Sequence, residues 1–141
     1  MAENLVVLIA RLVLAVFLSS TLGLLLYVVT FPVVENLSSI IDVNFGMVWV
    51  LTIGTGAGIG SFLGWLNRDL KLRYLMLILL LTLAATLLGA WGGLYNSRDV
   101  FQLSGVLGNP ALKGITVGAI LGGNIFNLAI WLVKTIRNPR I

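Results

Sequence analysis

Four stretches of the chain, 12–31, 47–66, 74–95 and 115–133, contain no Asp, Glu, Lys or Arg and are apolar almost throughout. Each is close to the roughly 20 helical residues needed to cross a bilayer's hydrocarbon core of about 30 Å. The 141-residue chain leaves too few residues between them for a separate soluble domain. The fold class that follows is all-α, a single polytopic membrane domain over 1–141 with four transmembrane helices. Composition agrees: 59% of residues are hydrophobic and 10% charged, against about 25% charged in a soluble domain. Cysteine and histidine are both absent, which excludes disulfide scaffolds, thiol chemistry, histidine-ligated haem and the usual zinc sites. No cofactor and no metal site is expected.

The first run is longer than the apolar core of a cleaved signal peptide, and no small-residue cleavage pattern follows it, so it reads as a retained helix. In a four-span arrangement Arg11, Arg68, Lys71, Arg73, Lys134, Arg137 and Arg140 fall on one side of the membrane, and only Arg98 and Lys113 on the other. That bias places both termini in the cytoplasm. Trp49, Trp91 and Tyr95 then mark the outer interface and Trp65, Tyr74 and Trp131 the inner one, where amphipathic rings prefer to lie. The expected location is the inner membrane of a bacterium. The net charge of +4 suits an anionic lipid surface, and no basic face exists for nucleic acid. Membrane lipids are the expected partners.

Between the first two spans, Val34, Leu37, Ile40 and Ile41 alternate with Glu35, Ser38, Ser39 and Asp42 at helical spacing, which predicts a short helix on the membrane surface. Glu35 and Asp42 would share its wet face, either as solvated charges or as a cation site. Asn109-Pro110 reads as an N-cap followed by proline at the first helical position, so the last helix should begin well before its apolar run.

In lipid, helices associate through close packing of small residues and through polar contacts. The second run carries Gly54 and Gly58 with Ser61 on one face and Gly56, Gly60 and Gly64 on nearly the opposite one. The fourth carries Gly114, Gly118 and Gly122 on one stripe, with Thr116, Gly123, Asn124 and Asn127 opposite. Thr82, Ala85, Thr86, Gly89, Gly92 and Gly93 gather on one side of the third. This pattern predicts glycine-zipper packing with helices two and four central and helices one and three facing lipid. Because some stripes would lack a partner in a lone bundle, it also predicts a homo-oligomer or a subunit of a larger complex, joined through helices two and four.

Asn124 and Asn127 are the amides deep in a span, and each needs a hydrogen-bond partner there. As structural glue they would bond Ser61, Thr82 or Thr86 across helices. As a functional element they would line a pore with Ser61 and Thr116. An offset of 66 residues also aligns Ser20 with Thr86, Gly23 with Gly89, Gly56 with Gly122 and Trp65-Leu66 with Trp131-Leu132. Such an alignment suits two parallel halves, each an outgoing leucine-rich helix followed by an incoming glycine-rich one.

No constellation for catalysis is visible. Every carboxylate falls in a tail or loop, and the serines have no histidine or intramembrane lysine to activate them. The Gly-x-Gly runs follow no strand and precede no Lys-Ser/Thr, so they are not phosphate loops. An intramembrane carboxylate relay of the kind used by proton pumps is missing too.

Gly56-Ala-Gly-Ile-Gly-Ser-Phe-Leu-Gly-Trp-Leu-Asn-Arg-Asp69 and Leu88-Gly-Ala-Trp-Gly-Gly-Leu-Tyr-Asn96 together resemble the small ATP-synthase accessory family, protein I and its relatives. Asn67 stands where that family's turn carries an acidic residue. The resemblance implies assembly or support of a membrane complex, with a tie to divalent cations. The function expected is thus a non-enzymatic accessory, assembly or packing subunit. The alternative is an oligomeric channel or facilitator for a small ion or neutral solute, lined by the amides of the fourth helix.

Overall fold

The computed structural model describes residues 2–42, 44–66, 70–100 and 109–137, with side chains over 5–42, 44–66, 70–97 and 109–135. Arg68 and Arg140, the Asn67 turn, and the side chains of Arg98 and Arg137 lie outside the described residues. Four helices make up the fold: α1 (Ala2–Ser38), α2 (Phe45–Gly64), α3 (Leu72–Val100) and α4 (Pro110–Arg137). All four are long and apolar enough to cross a membrane. They run up, down, up and down. The bundle therefore has one end where α1 begins and α4 stops, called here the terminal end, and an opposite end.

α1, α3 and α4 outrun their apolar stretches, while α2 begins two residues ahead of its own and stops at Gly64. α1 starts ten residues before its charge-free run, carrying Arg11 inside the helix. It also continues through Pro32 to Ser38, so residues 34–38 are the end of α1 and not a separate helix on the membrane surface. Proline removes one backbone donor, yet neighbouring turns hold the helix together. α1 ends where Ser38 and Ser39 hydroxyls donate to the carbonyls of Glu35 (2.7 Å) and Asn36 (2.6 Å) and Ile40 N–H closes on Leu37 O. Glu35 and Asp42 are both exposed there. At about 1.5 Å per residue, the 37 residues of α1 span roughly 55 Å, well beyond the hydrocarbon core.

Side-chain caps set two of the starts. Asn44 Oδ1 accepts from Met47 N–H at 3.2 Å, which begins α2 two residues before its apolar run. Asn109 Oδ1 accepts from Ala111 N–H at 2.9 Å, with Pro110 as the first residue of α4. Both satisfy donors that a helix start leaves free.

α2 and α4 bury 44% and 33% of their most apolar stretches, α1 and α3 only 17% each. α2 and α4 are the inner diagonal of the bundle, touching each other and both of the outer helices, while α1 and α3 do not meet. Buried apolar side chains are few and mostly small or β-branched: Ala15, Val50, Ile53, Ala57, Ala90, Leu112, Ile115 and Ala119. Most of the valines and many of the leucines are on the outside. That inverted distribution is what lipid as a solvent permits, since apolar burial does not drive helices together there.

The two outer–inner pairs cross at matching places. A methyl group built on Gly56 of α2 would lie 2.8 Å from Gly23 Cα on α1, and one built on Gly122 of α4 would lie 3.3 Å from Gly89 Cα on α3. These are the two glycine pairs aligned by the 66-residue offset. Away from those crossings the pairs differ. α1 and α2 are tight toward the terminal end, where Gly60 backs onto Leu18 and Ser19, and Gly64 onto Ala15. Toward the opposite end their gap is filled by rings: Tyr27 meets Trp49 edge-on at 5.9 Å and Phe31 at 5.6 Å. α3 and α4 are tight at the opposite end through Gly93 and Gly114, which meet backbone to backbone.

Candidate functional site

With the exception of Gly92, the glycines singled out in the sequence are placed against a helix of the same chain. On α2, Gly56, Gly60 and Gly64 face α1. Gly54 and Gly58 face α3, where added methyl groups would come within 2.8 Å of Leu87 Cδ2 and 2.7 Å of Thr86 Oγ1. Gly89 and Gly93 of α3 meet Gly114, Gly118 and Gly122 of α4. The expectation that some stripes lack a partner inside one bundle is therefore corrected. α2 needs two small faces because it is wedged between two neighbours of its own chain. Gly92 is different, with nothing within 4 Å of the position a methyl group would take.

The deep amides form the centre of a hydrogen-bonded knot. Asn127 Nδ2 donates to Ser61 Oγ on α2 at 3.1 Å and to Gly123 O on its own helix at 3.0 Å. Its Oδ1 accepts from Thr82 Oγ1 on α3 at 3.2 Å. One turn away, Asn124 Oδ1 accepts from the indole Nε1–H of Trp65 at 3.1 Å, while its Nδ2 donates to Ile120 O at 2.8 Å and, more weakly, to Ser19 Oγ on α1 at 3.4 Å. The two amides of α4 thus tie it to all three other helices. Ser19, Ser61 and Thr82 are fully buried, and Asn124 and Asn127 are 5% and 4% exposed. Among the described residues, no buried side-chain nitrogen or oxygen is left without a partner.

Of the predicted partners, Ser61 and Thr82 join the knot. Thr86 and Thr116 do not: each is buried but donates to a carbonyl of its own helix, Leu83 O at 2.9 Å and Leu112 O at 2.8 Å. Thr116 lies about three turns from Asn127, with the fully buried Ala119 and the closely packed Gly123 between them along α4. Sequence reasoning missed Ser19 and Trp65. Trp65 reads as an interface anchor, yet it is 9% exposed at the end of α2, with its N–H turned to the amide. A buried tryptophan generally needs such an acceptor.

Two adjacent cavities lie beyond the knot at the terminal end. A small one of about 60 Å³ is bounded by Arg11, Trp65, Asn127, Trp131 and Lys134. It shares Leu70, Ile78, Ile130 and Lys134 with a larger groove of about 830 Å³ between α3 and α4, which also touches Tyr74, Phe126 and Val133. Among the described residues no group of three or more carboxylates is placed to hold a metal ion. The Leu88–Asn96 stretch that carries part of the family resemblance lies in α3, where Tyr95 is exposed and Asn96 Nδ2 donates to Gly92 O at 2.9 Å. No protein-family model, no curated protein and no solved structure matches the chain.

Proposed function

We propose that the protein is a non-enzymatic accessory subunit of a membrane complex, seated in a bacterial inner membrane with both termini in the cytoplasm. The observation that carries this reading is how the interior polar groups are used. Asn124, Asn127, Ser19, Ser61, Thr82 and Trp65 satisfy one another across four helices, and the described interior offers no titratable group to move a proton or activate a nucleophile. Such a knot locks helix register. Glycine-zipper crossings do the same for helix spacing, so the chain acts as a preformed block.

Association with partners then falls to surfaces other than the zippers. The glycine faces are filled from within, which leaves the exposed apolar sides of α1 (Val6, Val13, Phe17, Val28) and of α3 (Leu80, Leu88, Trp91, Tyr95) to meet lipid, a second copy or a larger assembly. The resemblance to ATP-synthase accessory proteins points the same way. The competing channel reading needs a polar passage through Asn124, Asn127, Ser61 and Thr116. The fully buried Ala119, and Gly123 packed against Thr86 and Ser61, come between Thr116 and Asn127 along α4 and count against it. Affinity purification in a mild detergent followed by mass spectrometry tests the proposal. Stoichiometric recovery of one defined membrane complex is expected. Recovery of the chain alone, with a selective ion or solute leak in proteoliposomes, would overturn it.

A further inference from the structure

We propose that the α3–α4 groove at the terminal end is a binding site for one anionic phospholipid, its acyl chain between the helices and its phosphate held by Arg11 and Lys134. This inference does not depend on the accessory reading. The groove exists because the glycine crossing between α3 and α4 sits toward the opposite end. Past Gly122 the glycine stripe of α4 gives way to Phe126 and Ile130, which with Tyr74 and Ile78 of α3 line the opening.

Three features select the occupant. The first is depth. From Lys134 to Phe126 the groove runs about 12 Å along α4, close to half of a roughly 30 Å hydrocarbon core and thus the depth of one leaflet. The second is size and chemistry: about 830 Å³, walled by Leu70, Ile78, Phe126, Ala129, Ile130 and Val133, suits a flexible apolar chain.

The third feature is charge. Arg11 and Lys134 border the small cavity and Lys134 also the groove, both half-buried, and among the described residues no carboxylate lines either. The carboxylates with described side chains, Glu35 and Asp42, lie at the opposite end. A second copy inserted by the same charge bias would present its own cations at this level. It would repel where an anionic headgroup attracts. Arginine and lysine both bind phosphate well, the arginine through a planar fork.

The test uses the full chain purified in detergent, titrated with phosphatidylglycerol or with phosphatidylcholine of the same acyl chains, and read by native mass spectrometry and thermal stability. One phosphatidylglycerol per chain should bind saturably and raise the melting temperature, with phosphatidylcholine far weaker. Arg11→Gln with Lys134→Gln should weaken binding about 30-fold, from roughly 1 kcal/mol per basic residue. Lys71→Gln with Arg73→Gln removes the same charge from the same end but outside both cavities, and should leave binding near wild type. Ala129→Trp should fill the groove and exclude the lipid.

Equal binding of the two lipids, or equal loss in the two double variants, would overturn the proposal. So would competition by soluble glycerol phosphate at the lipid's own concentration, which would mark an anion site without a chain. A dimer broken by Ala129→Trp would assign the groove to a second copy instead. Should Ala129→Trp fail to fold, the two charge pairs still decide the question.

Discussion

Gly92 and Gly93 are neighbours in α3, yet the structure gives them opposite roles, and this makes them a sharp test of the helix packing. A methyl group on Gly93 would run into the carbonyl of Gly114, lying 2.6 Å from its carbon and 3.3 Å from Gly118 Cα. Both obstacles are backbone, so no rotamer change relieves them. Ordinary contact at about 3.5 Å requires α3 and α4 to part by roughly 1 Å, a gap that forfeits a quarter to a half of each dispersion contact along the seam. Overpacking of this kind generally costs about 1–3 kcal/mol, and Gly93→Ala belongs at the upper end. Gly92→Ala meets nothing within 4 Å. There the better helix propensity of alanine acts alone and stabilises by up to about 1 kcal/mol. The two variants should therefore differ by about 3–4 kcal/mol. Reversible unfolding in mixed detergent–SDS micelles, followed by circular dichroism, measures that difference. If the two alanines agree within about 0.5 kcal/mol, the close approach of α3 and α4 is wrong.

Asn127→Leu should lose the bonds to Ser61 and Thr82 and destabilise by about 1–2 kcal/mol, the sum of two interhelical bonds in lipid, while proteoliposome permeability stays unchanged. A wild-type leak abolished by the substitution would refute the structural role of the knot. Trp65→Phe keeps one aromatic ring but removes the Nε1–H donated to Asn124. Its cost, about 1 kcal/mol, should be strongly reduced in an Asn124→Leu background, as a double-mutant cycle in micelles can show. For topology, a reporter fused after Ile141 should be active only in its cytoplasmic form and one inserted near Ser38 only in its exported form. The reverse pattern would invert the orientation.

The helices themselves were plain in the sequence because charge-free runs of bilayer length have few other uses. Their ends were less so. Hydropathy stops where charges start, but helix hydrogen bonding does not, and α1 therefore extends past Arg11 in one direction and Pro32 in the other. The Asn109-Pro110 cap was legible because its chemistry is local. Asn44 carries the same kind of signal but sits ahead of the apolar run and was not read. Glycine stripes showed which helices are central. They could not show whether each stripe meets its own chain or another, since that depends on the relative rotation of all four helices. The same is true of Asn124 and Asn127. Their need for partners follows from burial, but the choice of Trp65 and Ser19 over Thr86 is set by a few ångströms of helix placement that no spacing rule encodes.

The amides of α4 each hold a carbonyl one turn back in their own helix, Ile120 for Asn124 and Gly123 for Asn127, as well as groups on other helices. This has a bearing on biogenesis. During synthesis α4 emerges after the other three helices, and it must leave the translocation machinery before it has docked. A bare amide entering lipid would carry an unsatisfied donor, whereas these two can bring a partner with them. The segment can therefore partition into the bilayer by itself, and its lateral search for α1, α2 and α3 starts from an inserted helix. The bonds to Ser61, Thr82 and Trp65 are then added on arrival, so insertion and assembly of this chain are separable steps.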